Sequence, residues 1–253
     1  MPIMNVKDRE YLKKNIQKLL ELERLMGADF IPKGVGAELR GQTETAGESS
    51  YKKIVTVDEH LPSGRVCDLQ DSEFASFKNK VLSCTKCNLH KERTKVVFGV
   101  GSLQSPLMFI GEAPGHDEDL QGEPFVGRAG KLLTATLKEL GISRSQVYIA
   151  NILKCRPPEN RQPRLDEIVS CIPYLFKQIG RIKPKIICTL GGVASQAMLS
   201  TQEPMKQLRG RIHDYNNMKI FPTYHPAYIL RNPADQKIYE ADIKKVCELT
   251  GLI

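Results

Sequence analysis

The 253 residues contain no tryptophan, and only 6% are aromatic. That is lean, but 41% hydrophobic residues supply a sizeable core and exclude a chain disordered throughout. No run approaches the roughly 18 apolar residues of a membrane span. The opening residues, "MPIMNVKDREYLKK", are charged and lack the apolar centre of a secretory signal. A soluble, cytoplasmic protein with no membrane partner is therefore expected. Internal repeats are missing too. The cysteines number seven, and an odd count without an export signal argues against a disulfide framework.

What is present is positive charge. Thirty-seven Lys and Arg oppose 29 Asp and Glu, a formal net charge of +8. Cations that displace counterions from phosphates favour a polyanionic partner, although a solvated basic surface gives the same count. Against this balance, "GEAPGHDED" (111–119) concentrates Glu112, Glu118 and Asp119 in one turn.

Composition divides the chain into three parts. Residues 1–27 hold an amphipathic helix, with Leu12, Ile16 and Leu19 at helical spacing and Gly27 as a stop. Residues 28–71 are rich in Gly, Ser, Thr, Lys and Glu and read as a flexible linker. The first helix can dock on the main domain or on a partner. Residues 72–253 alternate helices with apolar strands at 106–111, 146–153, 184–191 and 218–225. This pattern predicts an α/β three-layer sandwich around a parallel four-stranded sheet. Ligands bind beyond the carboxyl ends of such strands, so "GEAPGHDED", "NILKCRPPENR", "GGVAS" and "YHPAYILR" should meet.

Cys84 and Cys87 form a C-x2-C pair; Cys155 follows a predicted strand and Cys171 lies on the next helix. Four convergent thiolates suit a structural zinc ion or an iron–sulfur cluster, and spacing does not separate the two. Cys67, Cys188 and Cys247 read as ordinary small residues.

Together, "GEAPGHDEDLQGEPFVGRAGKLL", "NILKCRPPENRQP" and "HPAYILRNP" resemble the family 4, iron–sulfur uracil-DNA glycosylases. The resemblance runs from about Leu82 to Gly251 and leaves the first 80 residues outside. It implies that Cys84, Cys87, Cys155 and Cys171 hold a [4Fe–4S] cluster, that the substrate is uracil-containing DNA, and that the enzyme is a monomeric, monofunctional glycosylase. The N-terminal extension is then the place for a repair or replication partner.

The resemblance also distributes roles. His225 is the donor to uracil O2, and Asn151 pairs with uracil N3–H and O4. Phe125 stacks on the flipped base. Glu112 places the water or the sugar, Glu118 guards the space beside uracil C5, and Asn160 supports water placement. Backbone N–H groups around Ala113 face uracil O2; other uracil glycosylases carry a water-activating Asp at that place. Asp119 reads as a structural cap. His213, in "RGRIH", is similar to the histidine of a subgroup that traps DNA covalently. That subgroup has a longer basic loop and Gln in place of Glu112, so the ordinary hydrolytic form is expected here. Gly192 and Arg231 are candidate phosphate contacts, with Tyr228, Arg156, Arg161 and Lys131 in support; Leu230 or Ile229 is the wedge.

Two other readings compete. One is a non-catalytic DNA-binding or polymerase-accessory module on the same fold, which would not need Glu112, Asn151 and His225 together. The other is a zinc-stabilised DNA-binding protein, which would be colourless.

Overall fold

The computed structural model describes residues 64–253. The expected helix over 1–27, with any partner it binds, and most of the linker over 28–71 lie outside the described residues. In chain order the elements are α1 (Gly64–Leu82), β1 (Val100–Gly101), β2 (Leu107–Gly111), α2 (His116–Gln121), α3 (Arg128–Glu139), β3 (Tyr148–Asn151), α4 (Leu165–Ile182), β4 (Ile186–Leu190), α5 (Gly192–Leu199), α6 (Met205–Leu208), β5 (His213–Tyr215), β6 (Met218–Thr223), α7 (Pro226–Arg231) and α8 (Gln236–Thr250). No described helix is long and apolar enough to cross a membrane.

The sheet has six strands in the order β1-β3-β2-β4-β6-β5. The expected four form its parallel centre, with Ile110 opposite Ala150, Phe109 opposite Cys188, and Cys188 opposite Phe221. The two additions are antiparallel edge strands. β1 has two residues and β5 has three, too short for any periodicity to register. β5 turns into β6 through Asn216 and Asn217, both left-handed at φ 49° and 58°, the geometry of a tight hairpin. α1 starts inside the segment read as linker, because no Gly or Pro interrupts the chain between Arg65 and Leu82.

Alternation along the strands makes the two cores. Met108 and Ile110 of β2 face α4 and α5, packing with Leu175, Ile179, Ala194 and Met198. Leu107 and Phe109 face the other way, onto Leu133 and Leu137 of α3 and Tyr239, Ile243 and Val246 of α8. Each such side chain, taken wholly from water, contributes about 1.5–3 kcal/mol.

From β2 the chain moves outward to β3, then returns across the sheet to β4 on the other side of β2. The connections therefore diverge at β2, and a crevice opens beyond its carboxyl end. Into that crevice lead Gly111 from β2, Asn151 from β3, Gly191 after β4 and His225 after β6.

Candidate active site

Gly111 is the point over which the site assembles. A Cβ there would overlap the Oδ1 of Asn151 and stand 2.5 Å from Cζ of Phe125, so only glycine lets both side chains close over the end of β2. The Phe125 and His225 rings lie 5.6 Å apart, tilted by 36°. His225 in turn packs on Gly191, where a Cβ would stand 2.9 Å from its own. The structure thus brings Phe125, Asn151 and His225 together.

Asn151 is 2% exposed, and its Oδ1 is buried with no hydrogen-bond partner among the described residues. An acceptor left so is expensive unless a ligand completes it. His225 caps α7: its Nδ1 accepts the Ala227 N–H at 3.1 Å, and Pro226 occupies the first helical position. Burial, then the nearby Arg231 charge, lowers the His225 pKa to about 4. The ring is neutral at neutral pH, and the Nδ1 acceptance leaves its proton on Nε2.

Phe125 holds a left-handed backbone, φ 55°, unusual for an aromatic residue. Arg144 fixes it, donating to the carbonyls of Pro124 (2.7 Å) and Phe125 (3.0 Å) and to Thr134 Oγ1 (3.1 Å). Sequence reasoning missed Arg144; nothing in "GISRSQ" points 19 residues back to Phe125.

The carboxylates of the 111–119 turn divide their work. Glu118 accepts from Gly115, Val126 and Gly127 N–H at 2.9–3.1 Å, binding the turn to the segment that carries Phe125. Asp119, 3% exposed, accepts from Thr94 at 3.0 Å and Lys95 at 3.4 Å; it caps a distant loop rather than its own helix. Glu112 is half-buried, and desolvation raises its carboxyl above the usual range. Ala113 packs at the margin of the core.

The loop after β3 is tied to the same turn. Arg156 Nε donates to Asn160 Oδ1 at 2.8 Å, and its Nη1 lies 3.1 Å from His116 Nδ1. Asn160, exposed and at φ 55°, therefore presents its amide nitrogen outward. Arg161 pairs with Glu167 through bonds of 2.9 and 2.6 Å. The Tyr228 hydroxyl is also engaged, donating to Asp235 at 2.7 Å. Of the two wedge candidates Ile229 is buried at 2% and Leu230 is 39% exposed. Lys131 and Arg231 are exposed, and Gly192 opens α5. His213 Nε2 lies 2.8 Å from the Leu208 carbonyl.

Beneath the sheet's end, Cys84, Cys87, Cys155 and Cys171 line one cavity. Arg93 donates to Cys155 Sγ, the Lys154 N–H to Cys171 Sγ and the Tyr174 hydroxyl to Cys84 Sγ, each at 3.2 Å. Burial pushes the thiols of Cys87 and Cys155 up, and that of Cys171 to about 12. Arg93 and Lys154 oppose it at Cys155 and Cys171. His90 turns its Nδ1 to the Cys87 carbonyl at 2.7 Å. No group of His, Cys, Asp and Glu among the described residues is arranged around a single ion; the four thiols stand around a volume. Cys188 and Cys247 lie in the opposite core. Lys154, 1% exposed, was missed by sequence reasoning, although a lysine inside "YIANILKC" was the signal.

Residues 98–247 match the family model of the Uracil DNA glycosylase superfamily. The chain is 43% identical over 180 residues to the type-4 uracil-DNA glycosylase of Archaeoglobus fulgidus, covering 68% of this chain and 90% of that protein. It is 49% identical over 182 residues to the type-4 enzyme of Sulfurisphaera tokodaii, covering 68% and 83%. It is 47% identical over 179 residues to that of Saccharolobus solfataricus, covering 67% and 83%.

Proposed function

This chain belongs to the uracil DNA glycosylase superfamily, and from that premise we infer that it hydrolyses the N-glycosidic bond of uracil in DNA and leaves an abasic site. The observation that carries the reading is the buried, unpartnered Oδ1 of Asn151 beside an aromatic ring and a neutral histidine. That oxygen accepts uracil N3–H, and the amide nitrogen beside it donates to O4. Cytosine presents a lone pair and an amine at the same positions, so both contacts turn repulsive.

The base must first leave the stack. Leu230 fills the gap in the duplex, while Arg231 and the N–H groups opening α5 at Gly192 hold phosphates. Phe125 stacks on the extruded base. As the C–N bond breaks, its electron pair passes into the base and negative charge grows on O2, where His225 Nε2–H donates. One such donor is worth about 10²–10³ in rate. Backbone N–H groups near Ala113 face the same oxygen. The sugar becomes oxocarbenium-like, and Glu112 orients the water that adds to it and takes its proton. The cation is electrophilic enough to need little base assistance, which fits an Ala at position 113. Asn160 offers its amide nitrogen to the water from the side. Glu118 acts at one remove, by holding the Phe125 segment that walls the base near C5.

We assign the thiol cavity to a [4Fe–4S] cluster, which Cys84, Cys87, Cys155 and Cys171 would hold. When bound it supplies cross-linking of α1, the end of β3 and α4, and no chemistry at the reacting atoms.

The test is a labelled oligonucleotide with one uracil, treated with wild type, His225→Ala or Asn151→Ala and then with alkali. Breakage only after alkali is expected, with His225→Ala slower by about 10²–10³ and Asn151→Ala less selective against cytosine. An oligonucleotide that stays alkali-stable with folded, iron-loaded wild type would return the chain to a non-catalytic DNA-binding role.

A further inference from the structure

Five consecutive residues join the two sites. Asn151 ends β3 in the base pocket, and Cys155 lines the thiol cavity. Between them the Lys154 ammonium turns back and donates to the Asn151 carbonyl at 2.8 Å and to Gln178 Oε1 at 2.6 Å. Gln178, wholly buried, is itself fixed by donating to the Phe98 carbonyl and the Tyr148 hydroxyl. Both acceptors of the ammonium are neutral oxygens. A buried cation so placed is unfavourable unless an anion shares its surroundings. Lys154 lines the same cavity as Cys155 and Cys171, and its own N–H donates to Cys171 Sγ. A leucine would fill the space with no charge to desolvate, so packing does not account for a lysine here.

We propose that Lys154 is a positioning residue, whose ammonium is balanced by the cluster's thiolates and holds the Asn151 carbonyl so that the carboxamide is aimed at uracil. The proposal rests on the reading above of Asn151 and the cluster. The segment is held from its other side as well: Ile152 and Leu153 donate to the carbonyls of Gly111 and Glu112, each at 3.0 Å. Removing the ammonium frees one side of this clamp. The cluster thereby bears on base recognition without touching the base.

Lys154→Met keeps the apolar stem and removes the charge. Iron content and calorimetric binding of free uracil are measured on the full, iron-loaded chain, alone and with Asn151→Ala. The expected result is retained iron, uracil affinity weaker by about tenfold, and no further loss when Lys154→Met is added to Asn151→Ala. Wild-type uracil affinity in Lys154→Met, or losses that add in the double variant, overturns the proposal. If Lys154→Met does not fold, the wild type decides. With 15N-lysine labelling, a slowly exchanging buried ammonium signal should move on adding uracil and stay unmoved by cytosine. A signal indifferent to uracil overturns the proposal. Wild type that holds no iron or releases no uracil brings down the underlying reading, whereas uracil release with an uncoupled Lys154 brings down this inference alone.

Discussion

His225 is kept neutral by the surroundings that make it useful. Its folded pKa of about 4 lies below the ordinary value of 6.5, so the unfolded chain takes up a proton first as pH falls. The stability associated with the neutral ring is full above pH 6.5 and is lost as pH drops toward 4. Between pH 7 and pH 5 we expect wild type to lose about 2 kcal/mol more than His225→Asn, a variant that can still cap α7. Urea unfolding of both proteins at the two pH values checks this; parallel losses would show that the ring titrates normally. That Asn151 and His225 would meet was legible in the sequence because both sit in strand-end motifs, whereas Phe125, six residues past the 111–119 turn, was grouped with them by the resemblance alone. The pairing of Arg161 with Glu167 was not legible, because its partner lies on the next helix and a lone arginine looks the same paired or free. Arg144 was invisible for a similar reason: two of its three acceptors are backbone carbonyls, which carry no sequence signature.

Among the elements, the acidic turn after β2 resolves the oddity of carboxylates in a basic chain. Two of its four acids, Glu118 and Asp119, are taken up by backbone N–H groups, so they hold shape instead of repelling DNA. Glu118→Ala leaves three donors without that acceptor. We expect KM for uracil-containing DNA to rise about tenfold or more, since one hydrogen bond to a charged group is worth about 1.5–3 kcal/mol. Iron content should not change. Steady-state kinetics with iron determination tests this, and an unaltered KM would mean that the Phe125 segment holds itself. The four parallel strands and their order of appearance were readable because buried strands are continuous apolar runs. β1 and β5 were not, since two or three residues have no pattern to read, although "NN" before "MKIF" is the hairpin's trace. α1 was cut short because composition, not periodicity, set the boundary at residue 71.

At the scale of the molecule, the four cysteines span 88 residue positions from the end of α1 to the middle of α4, while the base pocket uses the strand ends. A cluster joining such distant segments acts as a cross-link whose loss frees a long loop. We expect Cys155→Ser to lose iron and soluble, folded protein together, and Cys247→Ala, in the opposite core, to keep its iron. Iron analysis beside circular dichroism checks both; a folded, fully active, iron-free Cys155→Ser would remove the structural role. That the four thiols converge was legible from spacing, but the proposal of a [4Fe–4S] cluster required the resemblance.

Every group assigned to the reaction stands at the carboxyl end of the parallel strands. The other end carries connections, among them 183–185 before β4 and the Asn216–Asn217 turn before β6. That turn projects from an edge hairpin away from the crevice, and Asn217 is exposed. It is therefore the natural place to graft a dye, a surface tether or a fused module: cargo carried there leaves the approach of a nucleic-acid strand unobstructed.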